Sequence, residues 1–395
     1  MHIGVWKEHA DGERRVALTP DTAVKLVDKG HRVVVESGAG LDAGIEDDAF
    51  RSAGVDIGAP DAVRECEVSL AVRGAGTWEG EGSSPTDTLR SGALALAMFD
   101  PLWLPKNAQA LAATGADVMS LELVPRITRA QSMDVLSSMA TVAGYEAALL
   151  AASKLPRMFP LMMTAAGTLA AARVFVLGAG VAGLQAIATA RRLGAIVEGY
   201  DVRPAAAEQI RSLGAKAVEL DLDTADSEDA GGYAREQSED ANARQQRLLT
   251  PYIAESDVII TTAAIPGRPS PELITAPMVE AMTSGSIIID LAAERGGNCA
   301  VTVADAEVVH AGVTVLGPTD LASRSPRHAS QMLGNNLVTL LDHLSDDDGQ
   351  LVVDHEDEIT GAMLVATGGE VVHERVLDAL GSSAPTPTPD APTEA

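Results

Sequence analysis

Residues 172–201 carry a stretch that fixes the architecture around it. Ala172-Arg173-Val174-Phe175-Val176-Leu177 has the pattern of a buried strand and runs straight into Gly178-Ala179-Gly180-Val181-Ala182-Gly183. A helical pattern follows, with Val181, Leu184, Ile187 and Ala188 on one face, Arg191 and Arg192 at its negative end, and Gly194 as its stop. A second strand pattern ends at Asp201, 23 residues beyond the first glycine. GxGxxG alone is a weak signal. Placed between a strand and a helix, with an acid at that distance, it reads as a dinucleotide fingerprint. Gly178 permits the turn, Gly180 lets backbone N–H groups approach a pyrophosphate, and Gly183 lets the helix pack closely on the strand. The positive helix end then faces the phosphates, with Ala179 and Val181 in the same turn. Asp201, followed by Val202 and Arg203, would accept hydrogen bonds from the adenosine ribose and repel a 2′-phosphate. That favours NAD over NADP, although an arginine at 203 can pair with such a phosphate. The competing reading is a glycine-rich turn with no ligand.

The rest of the chain alternates strand-like and helix-like runs, the pattern of parallel α/β units. The first unit reads as a strand at His2–Trp6, a helix at Pro20–Lys29 and a strand at Arg32–Glu36. Thr19 is its N-cap, Pro20 takes the first helical position, and Gly30 closes it. Further strands are expected at Val68–Val72, Ala93–Met98 and Asp117–Leu121, and helices near 47–53 and 105–114. Gln131–Ser153, rich in Ala, Leu and Met and free of Pro, predicts one long helix bridging two domains. A second domain then begins near Thr164, with strands at Arg173–Leu177, Ile196–Asp201, Ala217–Leu220, Asp257–Ala263, Ser286–Asp290 and Val313–Leu316. Thr261–Gly267 offers small residues over which a dinucleotide can lie. The expected fold class is α/β, with doubly wound parallel sheets.

Composition narrows the function. The 395 residues carry 56 acidic and 29 basic side chains, a net charge of −27. That charge disfavours nucleic acid and anionic membrane surfaces as direct ligands. Only 6 of the basic residues are Lys, which fits a protein kept soluble in concentrated salt; a GC-rich genome is the plainer explanation, and the halophilic reading is preferred. Residues 219–240 hold nine acids and one Arg and read as a solvated, mobile insertion; residues 342–358 hold eight acids and no Lys or Arg. The Pro/Thr/Ser/Ala-rich segment 381–395 reads as a disordered tail. Two distant cysteines exclude a disulfide framework, and no metal-ligand cluster or Walker loop is visible. No signal peptide is apparent, and Lys154, Pro156, Arg157 and Pro160 interrupt the most apolar region, so a soluble, cytoplasmic protein without direct membrane insertion is expected.

Pro125 to Ser138 precedes and enters the expected long helix, and sets Arg, Gln, Asp and Ser at the domain junction. Helix capping by Ser132 or Asp134 explains it without a ligand. The string Arg129-Ala130-Gln131-Ser132-Met133-Asp134, followed by Ala143-Gly144-Tyr145, nevertheless resembles the NAD(H)-binding alpha subunit (domain I) of the proton-translocating NAD(P) transhydrogenases, in the alanine dehydrogenase/transhydrogenase family. The likeness extends to Lys7-Glu8, Glu13–Pro20, Gly178–Gly183, Asp201-Val202-Arg203, Gly231–Ala234, and Asp290-Leu291-Ala292 through Gly296-Gly297-Asn298.

The resemblance implies that Arg126, Gln131, Asp134 and Ser137 orient the nicotinamide ring and its carboxamide, with Ile127, Thr128, Ser132 and Met133 in the same loop. Asp201 would hold the adenosine ribose. Gly232 and Tyr233 would close over bound nucleotide, and Gln245 and Ala264 would line the pocket. It implies two Rossmann-like domains, 1–136 plus 319–380 and an inserted 137–318 joined through the long helix, the run Ala329–Leu344 returning to the first domain. It implies a homodimer that docks on membrane-spanning and NADP(H)-binding subunits at the cytoplasmic membrane, and hydride transfer between NADH here and NADP⁺ there. Two rivals stand beside it. Alanine dehydrogenase shares Arg15, but needs a His acid/base and a Lys, where this chain has Met98-Phe99-Asp100-Pro101 and Arg73. A non-catalytic NAD(H)-binding module has little use for Arg126, Gln131 and Asp134.

Overall fold

The computed structural model describes residues 1–80, 83–221, 239–265 and 267–381. Its strands are β1 (His2–Val5), β2 (Arg32–Glu36), β3 (Asp56–Gly58), β4 (Val68–Arg73), β5 (Leu94–Met98), β6 (Asp117–Ser120), β7 (Met162–Thr164), β8 (Gly167–Leu169), β9 (Arg173–Leu177), β10 (Ile196–Tyr200), β11 (Lys216–Ala217), β12 (Val258–Thr261), β13 (Ile287–Asp290), β14 (Glu307–His310), β15 (Val313–Leu316), β16 (Leu364–Thr367) and β17 (Glu370–Val371). Four helices matter most for the site: α1 (Pro20–Val27), α2 (Val135–Lys154), α3 (Val181–Arg192) and α4 (Pro326–His343).

The first sheet has the order β17-β16-β6-β5-β4-β1-β2-β3 and the second β11-β10-β9-β12-β13-β15-β14. Both are parallel through their six core strands, and each ends on antiparallel strands: β16 and β17 in the first, β14 in the second. The sequence pattern anticipates the parallel strands but not β3, β14, β16 or β17. Central strands such as β12 (Val-Ile-Ile-Thr) are buried throughout, as sheets covered on both faces require. Their cores are separate: one cluster joins Ile3, Leu26, Leu70, Leu333 and Leu337, and another joins Ala147, Val174, Ile187 and Ile260.

Helix α1 begins as expected. Thr19 and Thr22 form a capping box, with the Thr19 N–H donating to Thr22 Oγ1 at 2.8 Å, and Pro20 follows the cap. Helix α4 returns from the second sheet to the first. It is tied there by Val16 N–H to Ser330 Oγ at 2.9 Å, and the Ser323 hydroxyl just before it donates to Glu13 at 2.6 Å. Glu13 and Arg15 form a buried ion pair at that junction.

The long helix starts later than its composition predicts. Thr128–Met133 is a 3₁₀ turn, and α2 begins only after Asp134 caps it. By length and apolarity α2 could cross a membrane, but its Ala147, Ala148 and Ala151 are fully buried against the second sheet's core. Gly144 lets α2 meet α3: a Cβ there would lie 2.1 Å from the Ala182 carbonyl oxygen. Between α2 and β9, β7 and β8 form a separate two-stranded hairpin that the sequence pattern does not reveal. The expected tail, 381–395, lies outside the described residues except Gly381, the last residue of the helix Glu374–Gly381.

Candidate nucleotide site

The three glycines after β9 each answer a different demand. Gly178 has φ +95°, and a Cβ on it would sit 2.5 Å from Thr262 Oγ1. A Cβ on Gly183 would sit 1.9 Å from the Gly178 carbonyl oxygen, so only glycine allows α3 to pack there. At Gly180, the N-cap of α3, a Cβ would meet nothing within 4 Å. The space beside Gly180 is open, at the positive end of the helix, where an anionic group gains most.

Asp201 stands at the tip of β10. Its Oδ2 accepts the Ala179 N–H at 2.7 Å, which ties the strand tip to the glycine turn. Arg203 folds back on the same carboxylate, with Nε 2.9 Å from Oδ1 and Nη2 2.9 Å from Oδ2.

Facing this turn is the start of α2. Asp134 Oδ1 accepts the Ser137 N–H at 2.8 Å, and Oδ2 accepts the Ser137 hydroxyl proton at 2.6 Å. Asp134 therefore caps the helix, and in doing so also fixes the Ser137 side chain. Asn336 of α4 donates to the Ser132 carbonyl at 2.7 Å, and Ala130 and Met133 are buried beneath the 3₁₀ turn.

A cavity of about 540 Å³ separates the two groups. Arg126, Ser137 and Ala140 line one side. Gly178, Gly180, Val181, Asp201, Val202 and Arg203 line the other, and Gln245 and Ala264 lie on the same wall. The remaining expected residues do not line it. Ile127, Thr128, Gln131, Ser132 and Met133 belong to the approach to α2, with Gln131 exposed and Met133 in the first core. Asp134 acts through Ser137, Ala179 through Asp201, and Gly183 through packing. Gly232 and Tyr233 lie outside the described residues.

Other residues join the lining without a local sequence signal: Tyr200, Asn242, and the turn Arg268-Pro269-Ser270-Pro271. Tyr200 Oη accepts the Gln245 amide at 3.1 Å, and burial pushes its phenol up to about 12. The turn is held by Asn298, fully buried, which donates to the carbonyls of Ala263 and Pro271 at 2.8 Å each and accepts the Ala263 N–H at 3.0 Å. Asn298 is in turn held by Asp290, whose carboxylate accepts its N–H at 2.7 Å. The Asp290–Asn298 motif thus shapes the cavity from below. Among the described residues the lining contains no His and no Lys, and no cluster suited to a metal ion is present. The cavity offers donors, a helix end and a carboxylate, but no proton carrier poised near neutral pH.

Comparison with known proteins agrees with this geometry. Family models described as "Alanine dehydrogenase/PNT, N-terminal domain" and "Alanine dehydrogenase/PNT, C-terminal domain" match residues 4–143 and 147–374. The first of the two alpha-subunit chains of the NAD(P) transhydrogenase of Rhodospirillum rubrum is 43% identical over 94% of this chain and 98% of its own length. The alanine dehydrogenase of Bacillus subtilis is 32% identical over 75% of the chain and 72% of its own length. Among solved structures, the transhydrogenase from Sinorhizobium meliloti superposes with a TM-score of 0.84 at 42% identity, covering 94% of this chain and all of that one. An L-alanine dehydrogenase structure at 23% identity shares the fold, with a TM-score of 0.78 over 96% of this chain and 99% of that one. The chain belongs to the alanine dehydrogenase/PNT family, and within it sides with the NAD(P) transhydrogenase alpha subunits rather than with the alanine dehydrogenases.

Proposed function

We propose that the chain binds NAD(H) in the 540 Å³ cavity and exchanges hydride with NADP(H) held on a partner subunit. The observation that carries this reading is that Arg126 and Ser137, from the junction loop and α2, share one cavity with Gly178–Val181 and Asp201. The residues fit the dinucleotide. The open space at Gly180 admits a pyrophosphate against backbone N–H groups, and Asp201 stands where a ribose diol would meet it. When bound, the reduced nucleotide supplies the hydride from its nicotinamide C4.

The chain's own part is positioning. The Ser137 hydroxyl proton is committed to Asp134, so the Ser137 oxygen is left to accept from a carboxamide NH₂. Arg126, a permanent donor, suits the carboxamide oxygen. Gln131 is assigned to the same loop as an orienting residue. Asp134 acts as a positioning residue for Ser137. Gly232 and Tyr233 are assigned to closure over the nucleotide. Hydride transfer needs no general base, which suits a lining without His or Lys among its described residues. The domain division 1–136 plus 319–380 and 137–318 sets this site at the seam of two units, with the ring edge free for the partner.

The finer assignments follow the same reading. The chain acts as a homodimer, and the β7–β8 arm supports this: Met158, Leu161, Met163 and Leu169 are each at least half exposed, a surface suited to a second copy. The dimer docks on NADP(H)-binding and membrane-spanning subunits at the cytoplasmic face of the membrane, which carry proton translocation. The charge of −27 with only 6 Lys suits a salt-rich interior.

The test is an exchange assay. The purified chain is mixed with a recombinant NADP-binding transhydrogenase domain and NADP⁺, and reduction of acetylpyridine adenine dinucleotide by NADH is followed. Exchange that requires the partner supports the proposal. NADH oxidation dependent on pyruvate and ammonia, with no exchange, contradicts it.

A further inference from the structure

Both sheets repeat one plan. Counted along the chain, each has the strand order 3-2-1-4-5-6: β3-β2-β1-β4-β5-β6 in the first, and β11-β10-β9-β12-β13-β15 in the second. In such sheets ligands settle beyond the strand C-termini, at the point where the order reverses. In the second sheet that point lies between β9 and β12, and the nucleotide cavity opens there. In the first it lies between β1 and β4, and a second cavity of about 350 Å³ opens there, within the size range of small-molecule sites.

The chemistry of this second cavity is different. Strand β1 runs into Trp6-Lys7-Glu8 and not into a glycine turn, so nothing here imitates a phosphate cradle. The floor is made of small side chains, Ser69 and Ala71 on β4 and Ala95 and Ala97 on β5. The β4–β5 register shifts between Leu70 and Arg73, and Glu8 accepts the N–H groups of Val72 and Arg73 at 2.7 and 3.1 Å. Irregular ladders of this kind are common beside binding sites. On this face the core splits into two clusters, one around Phe99 and Leu111 and one around Trp6 and Val63.

Two of the chain's three tryptophans line the cavity. The Trp6 indole N–H donates to Ser69 Oγ at 2.8 Å. Trp78 Nε1 is buried and has no acceptor among the described residues. A buried donor without an acceptor is rare in folded proteins and calls for one. The rim carries both signs, Lys7 and Arg73 against Glu36 and Asp87, and so selects neither an anion nor a cation.

We infer that this cavity is a second ligand site, for an uncharged planar heteroaromatic molecule of one or two rings that packs against Trp6 and Trp78 and accepts a hydrogen bond from Trp78 Nε1. The inference does not depend on what fills the larger cavity.

The tryptophans supply the readout. Trp103 lies outside the cavity, with the Arg295 guanidinium 4.7 Å from its ring centroid. In full-length Trp103→Phe protein only the cavity indoles emit. Adenine and nicotinamide are titrated in turn with NAD⁺ present in excess, by tryptophan fluorescence and by calorimetry. A saturable change with at least one of them is expected, weakened about tenfold by adding Trp78→Phe, which keeps a ring and removes the donor. Ala97→Leu, which fills the floor, should abolish it; if that variant does not fold, Trp78→Phe decides. Absence of a saturable signal with both probes, or a signal unchanged in Trp78→Phe or in a folded Ala97→Leu protein, overturns the inference.

Discussion

Arg203 and Asp201 form a closed pair at the tip of β10, with two side-chain hydrogen bonds of 2.9 Å. The carboxylate also accepts the Ala179 N–H, so it is held in one orientation before any ligand arrives. A ribose diol meeting Asp201 finds an acceptor whose position is already fixed. A 2′-phosphate meets the carboxylate before it meets a free guanidinium.

Asp201→Asn should therefore weaken NADH binding and narrow the preference over NADPH. The loss of one charged acceptor predicts about 1–3 kcal/mol, or roughly tenfold to a hundredfold in Kd for NADH. Titration of both nucleotides by fluorescence checks this. An unchanged ratio of the two affinities would remove Asp201 from the discrimination.

Gly180 and Gly183 should separate binding from folding. At Gly180 a methyl group meets nothing within 4 Å, and the backbone there is extended with φ −75°. Gly180→Ala should melt like the parent protein yet lose most of its NADH affinity. Gly183→Ala puts a carbon against the Gly178 carbonyl and should cost about 1–3 kcal/mol of stability, as overpacked sites do. Thermal melts beside NADH titrations distinguish the two, and a Gly180→Ala protein with normal affinity would move the nucleotide away from this turn.

Glu8 should make stability depend on pH. Burial, and then the neighbouring Glu13 charge, push its carboxyl up to about 8, against the Val72 and Arg73 N–H groups and Arg15, which pull the other way. Its ordinary value is 4.5, so between about 4.5 and about 8 the folded chain holds a proton that the unfolded chain has released. Stability then falls as pH rises through that window. Glu8→Gln keeps an oxygen acceptor for the two N–H groups and removes the titration. The melting temperature of Glu8→Gln relative to the parent should rise between about pH 5 and about pH 9. A constant difference would mean that Glu8 does not take up this proton.

The β7–β8 arm should govern self-association. Met163 is 80% exposed at its tip, with Leu161 and Leu169 beside it. Met163→Asp should shift the sedimentation equilibrium toward monomer while leaving the melting of the individual chain largely intact, since surface changes outside special sites stay within about 0.5 kcal/mol. A parent protein that sediments as a monomer would end the assignment of this arm.

Much of this was legible in the sequence where a residue can do only one thing. Gly178, Gly180 and Gly183 between a strand and a helix located β9, α3 and β10, and Thr19-Pro20 with Gly30 located α1. Where local pattern is silent, tertiary placement decides. Nothing in Gln131–Ser153 breaks a helix, yet Asp134 turns its side chain to the Ser137 N–H and the helix starts only there. Gln131 and Ser137 look alike as polar residues near a junction, but only Ser137 faces the cavity. Tyr200 and Pro269–Pro271 enter the lining because β10 and the Asn298-held turn place them there, which no short window records. The edge strands β14, β16 and β17 are short and half-exposed or added from a distant part of the chain, so periodicity does not mark them.

The most direct measurement is a crystal structure of the full chain with NADH. The account predicts the pyrophosphate at Gly180, the adenosine ribose on Asp201, and the nicotinamide beside Arg126 and Ser137 with one edge open to solvent. A nicotinamide enclosed on all sides, next to a closed pocket for a metabolite, would contradict it.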